Sequence, residues 1–119
     1  MAAANLDTNK LAGEFNNIKA ITFTALDASA GGEYTVTAGN ERIAVLINNT
    51  DSSNAENVTI KAPAHPALGK GTAFPDKVVS VAKSTMAVAY IESMRYMDAE
   101  TGKITIAGSA DVEVAVLEI

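Results

Sequence analysis

The sequence predicts an all-β domain: a single antiparallel β-sandwich or jelly-roll-like barrel of about eight short strands, with an N-terminal arm. Three observations predict it. From Ala20 onward the apolar residues follow a period of two in short runs. Clusters of Gly, Asn, Asp, Ser and Pro break those runs about every ten residues, the rhythm of a sandwich or barrel. Before Ala20 the pattern differs, with Leu11, Phe15 and Ile18 at a helix-like spacing. A chain of 119 residues is one domain by length, divided as an arm over 1–19 and a β-domain over 20–119.

The arm carries Asn5, Asn9, Asn16 and Asn17 among small residues. Gly13 weakens any helix there, so the segment reads as an extended arm or a marginal helix, with a disordered end as the alternative. Its apolar residues Leu6, Leu11, Phe15 and Ile18 are candidate anchors. Ile21, Phe23 and Ala25 then alternate with Thr22 and Thr24 and predict the first strand, facing the core with the apolar set. Residues 27–32 form a loop ending in two glycines. Tyr34–Thr37 is a short strand, closed by a turn at Ala38-Gly39-Asn40-Glu41. Arg42–Ile47 is apolar on both faces and predicts a strand in the middle of the sandwich. Asn48 to Asn54 is a loop, because Asn, Asp and Ser bond their own backbone and tolerate left-handed angles.

Val58 and Ile60 mark the next strand. The stretch Ala62–Asp76 contains all three prolines, Pro63, Pro66 and Pro75, with Gly69 and Gly71. Long loops without regular structure are uncommon and often functional. Pro63, His65, Pro66, Phe74 and Pro75 are therefore candidate contact residues. Lys77–Ala82 and Thr85–Glu92 are strands separated by a tight turn at Lys83-Ser84. Tyr96–Gly102 is a bend. Lys103–Ile106 and Val112–Ile119 complete the domain, with Val112, Val114 and Val116 on one face.

Composition narrows the function. The net charge is −5, and the nine basic residues are scattered singly. No basic stripe with interleaved aromatics exists, which disfavours nucleic-acid binding. The absence of cysteine excludes disulfides, thiolate metal sites and a Cys nucleophile, and suits synthesis in a reducing cytoplasm. No apolar stretch approaches the ~20 residues of a membrane-spanning helix, so a membrane partner is not expected. The N-terminus lacks the basic and apolar regions of a signal peptide.

The motifs that could carry chemistry are incomplete. His65 is the only histidine, whereas triads and metal sites need partners beside it. Gly69-Lys70-Gly71-Thr72 lacks the Gly-Lys-Ser/Thr order of a phosphate loop. Asp98 and Glu100 offer two oxygen ligands where Ca²⁺ takes six to eight, and a turn at Gly102 explains them equally. Asn48-Asn49-Thr50 and Asn57-Val58-Thr59 match the glycosylation sequon, which means nothing without secretion. Met86, Met94 and Met97 near Tyr90 and Tyr96 suit core filling or an adaptable interface. No catalytic residue, cofactor or metal ligand is expected.

Four segments together resemble the small all-β virion proteins of tailed bacteriophages, the head-decoration or minor capsid proteins. They are Arg42–Ile47 running into Asn48-Asn49, Asn57–Ile60 after a polar loop, Asp98–Ile106 with its Asp–Gly turn, and the last strand Val112–Ile119. The resemblance implies a non-enzymatic capsid decoration protein, made in the bacterial host cytoplasm and located on the virion surface. It implies the major capsid protein as partner, and a homo-trimer or other homo-oligomer. A carbohydrate-binding or adhesive sandwich on a phage tail or cell surface is the alternative, with Tyr34 or Tyr96 as its aromatic platform.

Overall fold

In the computed structural model the strands form two facing sheets. It describes residues 3–6, 21–36, 42–63 and 74–118. Among these, nine strands run in chain order: β1 (Ala4–Asn5), β2 (Thr24–Ala25), β3 (Gly32–Thr35), β4 (Arg42–Asn49), β5 (Glu56–Ile60), β6 (Lys77–Val81), β7 (Met86–Glu92), β8 (Lys103–Ala107) and β9 (Val112–Glu118), with a single helical turn, α1 (Ser93–Tyr96), after β7. The back sheet has the order β1-β3-β8-β5-β6, and the front sheet the order β2-β9-β4-β7. The predicted sandwich is thus present. Every pairing is antiparallel except β1 with β3, which is parallel.

Alternation puts one side chain in two into the space between the sheets. From the front come Ile43, Val45, Ile47, Ala89, Ile91, Val112, Val114 and Val116; from the back come Tyr34, Val58, Ile60, Val81, Ile104 and Ile106. Apart from Ala89 and Tyr34 these are β-branched side chains, which fit a pleated, buried surface. Two polar residues fasten the ends of this core. The Tyr34 hydroxyl, from the back sheet, donates to the Glu118 carboxylate of the front sheet, and both residues are fully buried. At the other end, buried Asn49 donates through Nδ2 to the carbonyls of Val81 (3.0 Å) and Asn54 (3.1 Å), and its Oδ1 accepts from the Asp51 N–H at 3.0 Å.

The structure corrects the strand reading in several places. Of the Ile21–Phe23–Ala25 set expected to face the core, Ile21 and Ala25 are exposed and Phe23 is half-buried; Leu26, just after β2, is the buried residue. Thr24 pairs with inward-facing Val114, so Ala25 points outward and Ile21 is exposed. Burying one large Leu in the core sets the phase of a two-residue strand. Asn48 and Asn49, expected in a loop, continue β4 because their register with β9 is unbroken. Lys83-Ser84 is a tight turn, with the Thr85 N–H donating to the Ala82 carbonyl at 3.2 Å and Ser84 at φ 54°. It does not make a hairpin, however: β6 lies in the back sheet and β7 in the front. The expected turn at Ala38–Glu41 lies outside the described residues.

Three loops use one device. The side chains of Asp27, Asp51 and Asp98 each accept from backbone N–H groups two and three residues on. Such turns replace water on backbone donors that no strand can satisfy. The first ends at Gly31, at φ 74°, where an added Cβ would sit 2.1 Å from the Ile106 carbonyl oxygen. Asp98 is thereby a turn residue, closed by the Gly102 N–H donating to its carbonyl at 2.8 Å.

Candidate interaction surface

The two outer faces of the sandwich differ in chemistry. On the back sheet the outward positions read Glu33 against Thr105, Thr35 against Lys103, Asn57 against Ser80, and Thr59 between Ala107 and Val78. Lys103 Nζ lies 3.3 Å from Glu33 Oε1. This is an ordinary solvated face with one large exposed apolar residue, Val78, at its rim.

The front sheet shows the opposite pattern. Its outward positions form rows across β7, β4 and β9: Tyr90–Ala44–Leu117, then Val88–Leu46–Ala115. Both rows are wholly apolar. Polar rows close them off, Glu92–Arg42 on one side and Met86–Asn48–Glu113 on the other, where Asn48 Nδ2 donates to Glu113 Oε1 at 2.8 Å. Ala44 and Ala115 are covered, while Met86, Val88 and Tyr90 are 60%, 66% and 55% exposed. Leu46 and Leu117 are half-buried, so the open part of the face lies along β7. A contiguous apolar patch rimmed by polar groups is characteristic of an interaction site.

Beside this face, β7 runs into α1, and Tyr90, Glu92, Arg95 and Tyr96 line an open groove of about 220 Å³. The Arg95 guanidinium stands over the Phe74 ring, 5.1 Å from its centroid, a cation–π contact. On the far side, Lys61, Pro63, Tyr96 and Lys103 border a smaller recess of about 100 Å³. Asp76 closes the base of the long loop. Its Oδ1 accepts from the Ala62 N–H at 2.7 Å, and its Oδ2 lies 3.9 Å from Lys61 Nζ.

Three carboxylates, those of Asp51, Glu56 and Asp111, converge within 4.8 Å. Backbone N–H groups of Ser53 and Asn54 hold Asp51 below the usual carboxylate range. A hydrogen bond with Asp51 pushes Glu56 up, helped by desolvation. The arrangement joins the β4–β5 loop to the β8–β9 loop, where Thr50 also donates through its hydroxyl to the Asp111 carbonyl.

The residues expected from sequence to bind a partner are distributed as follows. Leu6 is buried in the core, and β1 beside it is a sheet strand, so these arm residues belong to the sandwich. Leu11, Phe15, Ile18, His65 and Pro66 lie outside the described residues, as does Gly69–Thr72. Pro63 is half-buried at the smaller recess, Phe74 is half-buried under Arg95, and Pro75 is exposed. Tyr34 is excluded as an aromatic platform, because its whole ring is in the core. Of the Met cluster, Met86 is exposed on the front face and Met97 packs against the core. Sequence reasoning reaches Tyr90 only through its methionine neighbours and misses Leu46, Val88 and Leu117. Their signal is the double-faced apolarity of β4, which composition alone does not distinguish from full burial.

No protein-family model, curated protein or solved structure matches this chain.

Proposed function

We propose that the protein is a non-enzymatic structural component of a virus particle: a decoration protein that binds the outer surface of an assembled capsid and stabilises the shell. The observation that carries this reading is the inequality of the two outer faces. The apolar front rows are suited to lie against a protein lattice, and the polar back face suits the side turned to solvent. The resemblance in the sequence supplies the partner, the major capsid protein. No catalytic step is required of it. A ligand that binds only the assembled lattice stabilises that lattice by mass action, and a modest interface becomes tight when many copies engage one shell.

The test is co-sedimentation of the purified protein with empty capsids from its own source, followed by heating of the decorated shells. Saturable binding with later shell disruption is the expected outcome. A folded protein that stays in the supernatant at every concentration overturns it.

One observation favours a second reading, a carbohydrate-binding sandwich. Tyr90 is exposed beside Glu92, Arg95 and Tyr96, which gives an aromatic surface next to hydrogen-bonding groups. A glycan array on which Tyr90→Ala abolishes a specific signal would select it.

A further inference from the structure

Among the described residues the two sheets have four edges, and they are unequal. β1 and β2 are two residues long, too short to template a neighbour. β6 follows Pro75 and Asp76 and begins with Lys77; Pro and charge are the usual guards against edge pairing. β7 is seven residues long, Met-Ala-Val-Ala-Tyr-Ile-Glu, and carries neither proline nor charge before its last residue. Among the described residues its one sheet partner is β4.

The direction of its free backbone groups can be derived. The Asn49 N–H donates to the Thr85 carbonyl at 3.0 Å, so Thr85 turns its polar groups toward β4. In an antiparallel ladder this alternates. Ala87, Ala89 and Ile91 therefore also turn toward β4, while Met86, Val88 and Tyr90 turn N–H and C=O to the open edge. The same three residues carry the exposed apolar side chains of the front face.

We propose that β7 is a self-association edge, which pairs antiparallel with β7 of a second copy across a two-fold axis centred on Val88. Continuity of the apolar face requires outward residues to meet outward residues, which restricts the axis to a residue rather than a gap between two. Centring on Ala87 sets Tyr90 against Ser84 of the second copy, and centring on Ala89 sets Met86 against Glu92. Centring on Val88 sets Val88 against itself and Met86 against Tyr90, a sulfur–aromatic contact. It also brings Lys83 within one residue of the second copy's Glu92 at both ends, so the charges are complementary. Three residue pairs exchange about six backbone hydrogen bonds. The front sheets become one eight-stranded sheet with a doubled apolar face. One strand pair covers less than the ~800 Å² per partner of a stable interface, so the dimer is reversible and concentration-dependent. An isologous contact of this kind closes at two copies. The proposal stands independently of the capsid reading.

Sedimentation velocity over a concentration series tests it without any capsid. The full chain is expected to show a monomer–dimer equilibrium. Val88→Lys, which juxtaposes two lysines at the axis on a solvent-exposed position, is expected to remain monomeric with unchanged thermal unfolding. Lys83→Glu is expected to weaken the dimer at least threefold, and Lys83→Glu combined with Glu92→Lys to restore it. A wild-type chain that is monomeric throughout overturns the proposal. So does a dimer indifferent to Val88→Lys, or a double charge reversal no better than the single one.

Discussion

Asn49 shows how one side chain decides the geometry of a whole end of the sandwich. It sits in the last position of β4 with its amide fully buried, and it holds backbone groups from the β4–β5 loop and from the end of β6. Replacement by alanine removes those partners together and leaves the Val81 carbonyl unsatisfied in the buried end of the core. The expected cost is on the order of 3 kcal/mol, read as a shift in the urea midpoint with an unchanged slope. An Asn49→Ala protein as stable as wild type would show that water replaces the amide. Little of this was legible in the sequence, where Asn48 to Asn54 has the composition of a loop. The strongest loop-former in that run is buried because its amide can satisfy several backbone groups at once, which composition does not encode. Tyr34 misled for a related reason. An aromatic with a hydroxyl suits a binding platform and a core equally, and only the buried Glu118 opposite it decides between them.

At the scale of elements, the Asp-capped turns make stability depend on pH in a direction that can be worked out. Asp27 and Asp51 are held below their ordinary value of 3.8 by backbone N–H donors. Their stabilising contribution is present above that value and is lost as pH falls through the folded-state pKa. Glu56 behaves in the opposite sense. Its folded-state pKa is raised above 4.5 by the hydrogen bond with Asp51, so its contribution is present below 4.5 and is lost as pH rises through the raised value. Urea unfolding across the acid range is expected to show both limbs. Asp27→Asn keeps an acceptor for the Ser29 and Ala30 N–H groups but cannot titrate, and should flatten the low-pH limb. Glu56→Gln should flatten the upper one. Unaltered pH profiles in both variants would place the titration elsewhere. Strands were easier to read than these couplings. The alternation of Val112, Val114 and Val116 specifies β9 because its first three inward positions are filled by a β-branched residue. The parallel pairing of β1 with β3 left no trace, since two residues carry no period. Nor did the sheet change at Lys83-Ser84, because a two-residue turn looks the same whether or not its strands pair.

For the whole molecule, the arrangement of apolar surface matters more than its amount. A net charge of −5 sets copies of the chain against one another, yet the chain keeps two apolar rows on one face. Covering them in a complex would return much of what the single-layer exposure forfeits, about 1.5–3 kcal/mol for each large side chain fully buried. Leu117 is the discriminating position, because it belongs to the front face but lies on β9, two strands away from the β7 edge. If the front face seats the protein on a capsid lattice, Leu117→Lys should weaken co-sedimentation with shells by roughly ten- to a hundredfold. The β7-mediated dimer should be untouched, since its contacts run through Met86, Val88 and Tyr90. Thr105→Lys, on the polar back face, should bind shells as wild type does. The contact is apolar, so its affinity should also vary little with salt, unlike one steered by charge. Equal losses from Leu117→Lys and Thr105→Lys would mean that added positive charge, not the front face, governs attachment. Unchanged binding in both would move the attachment site to the N-terminal segment or the long loop, where Leu11, Phe15, Ile18 and His65 would be the next residues to replace.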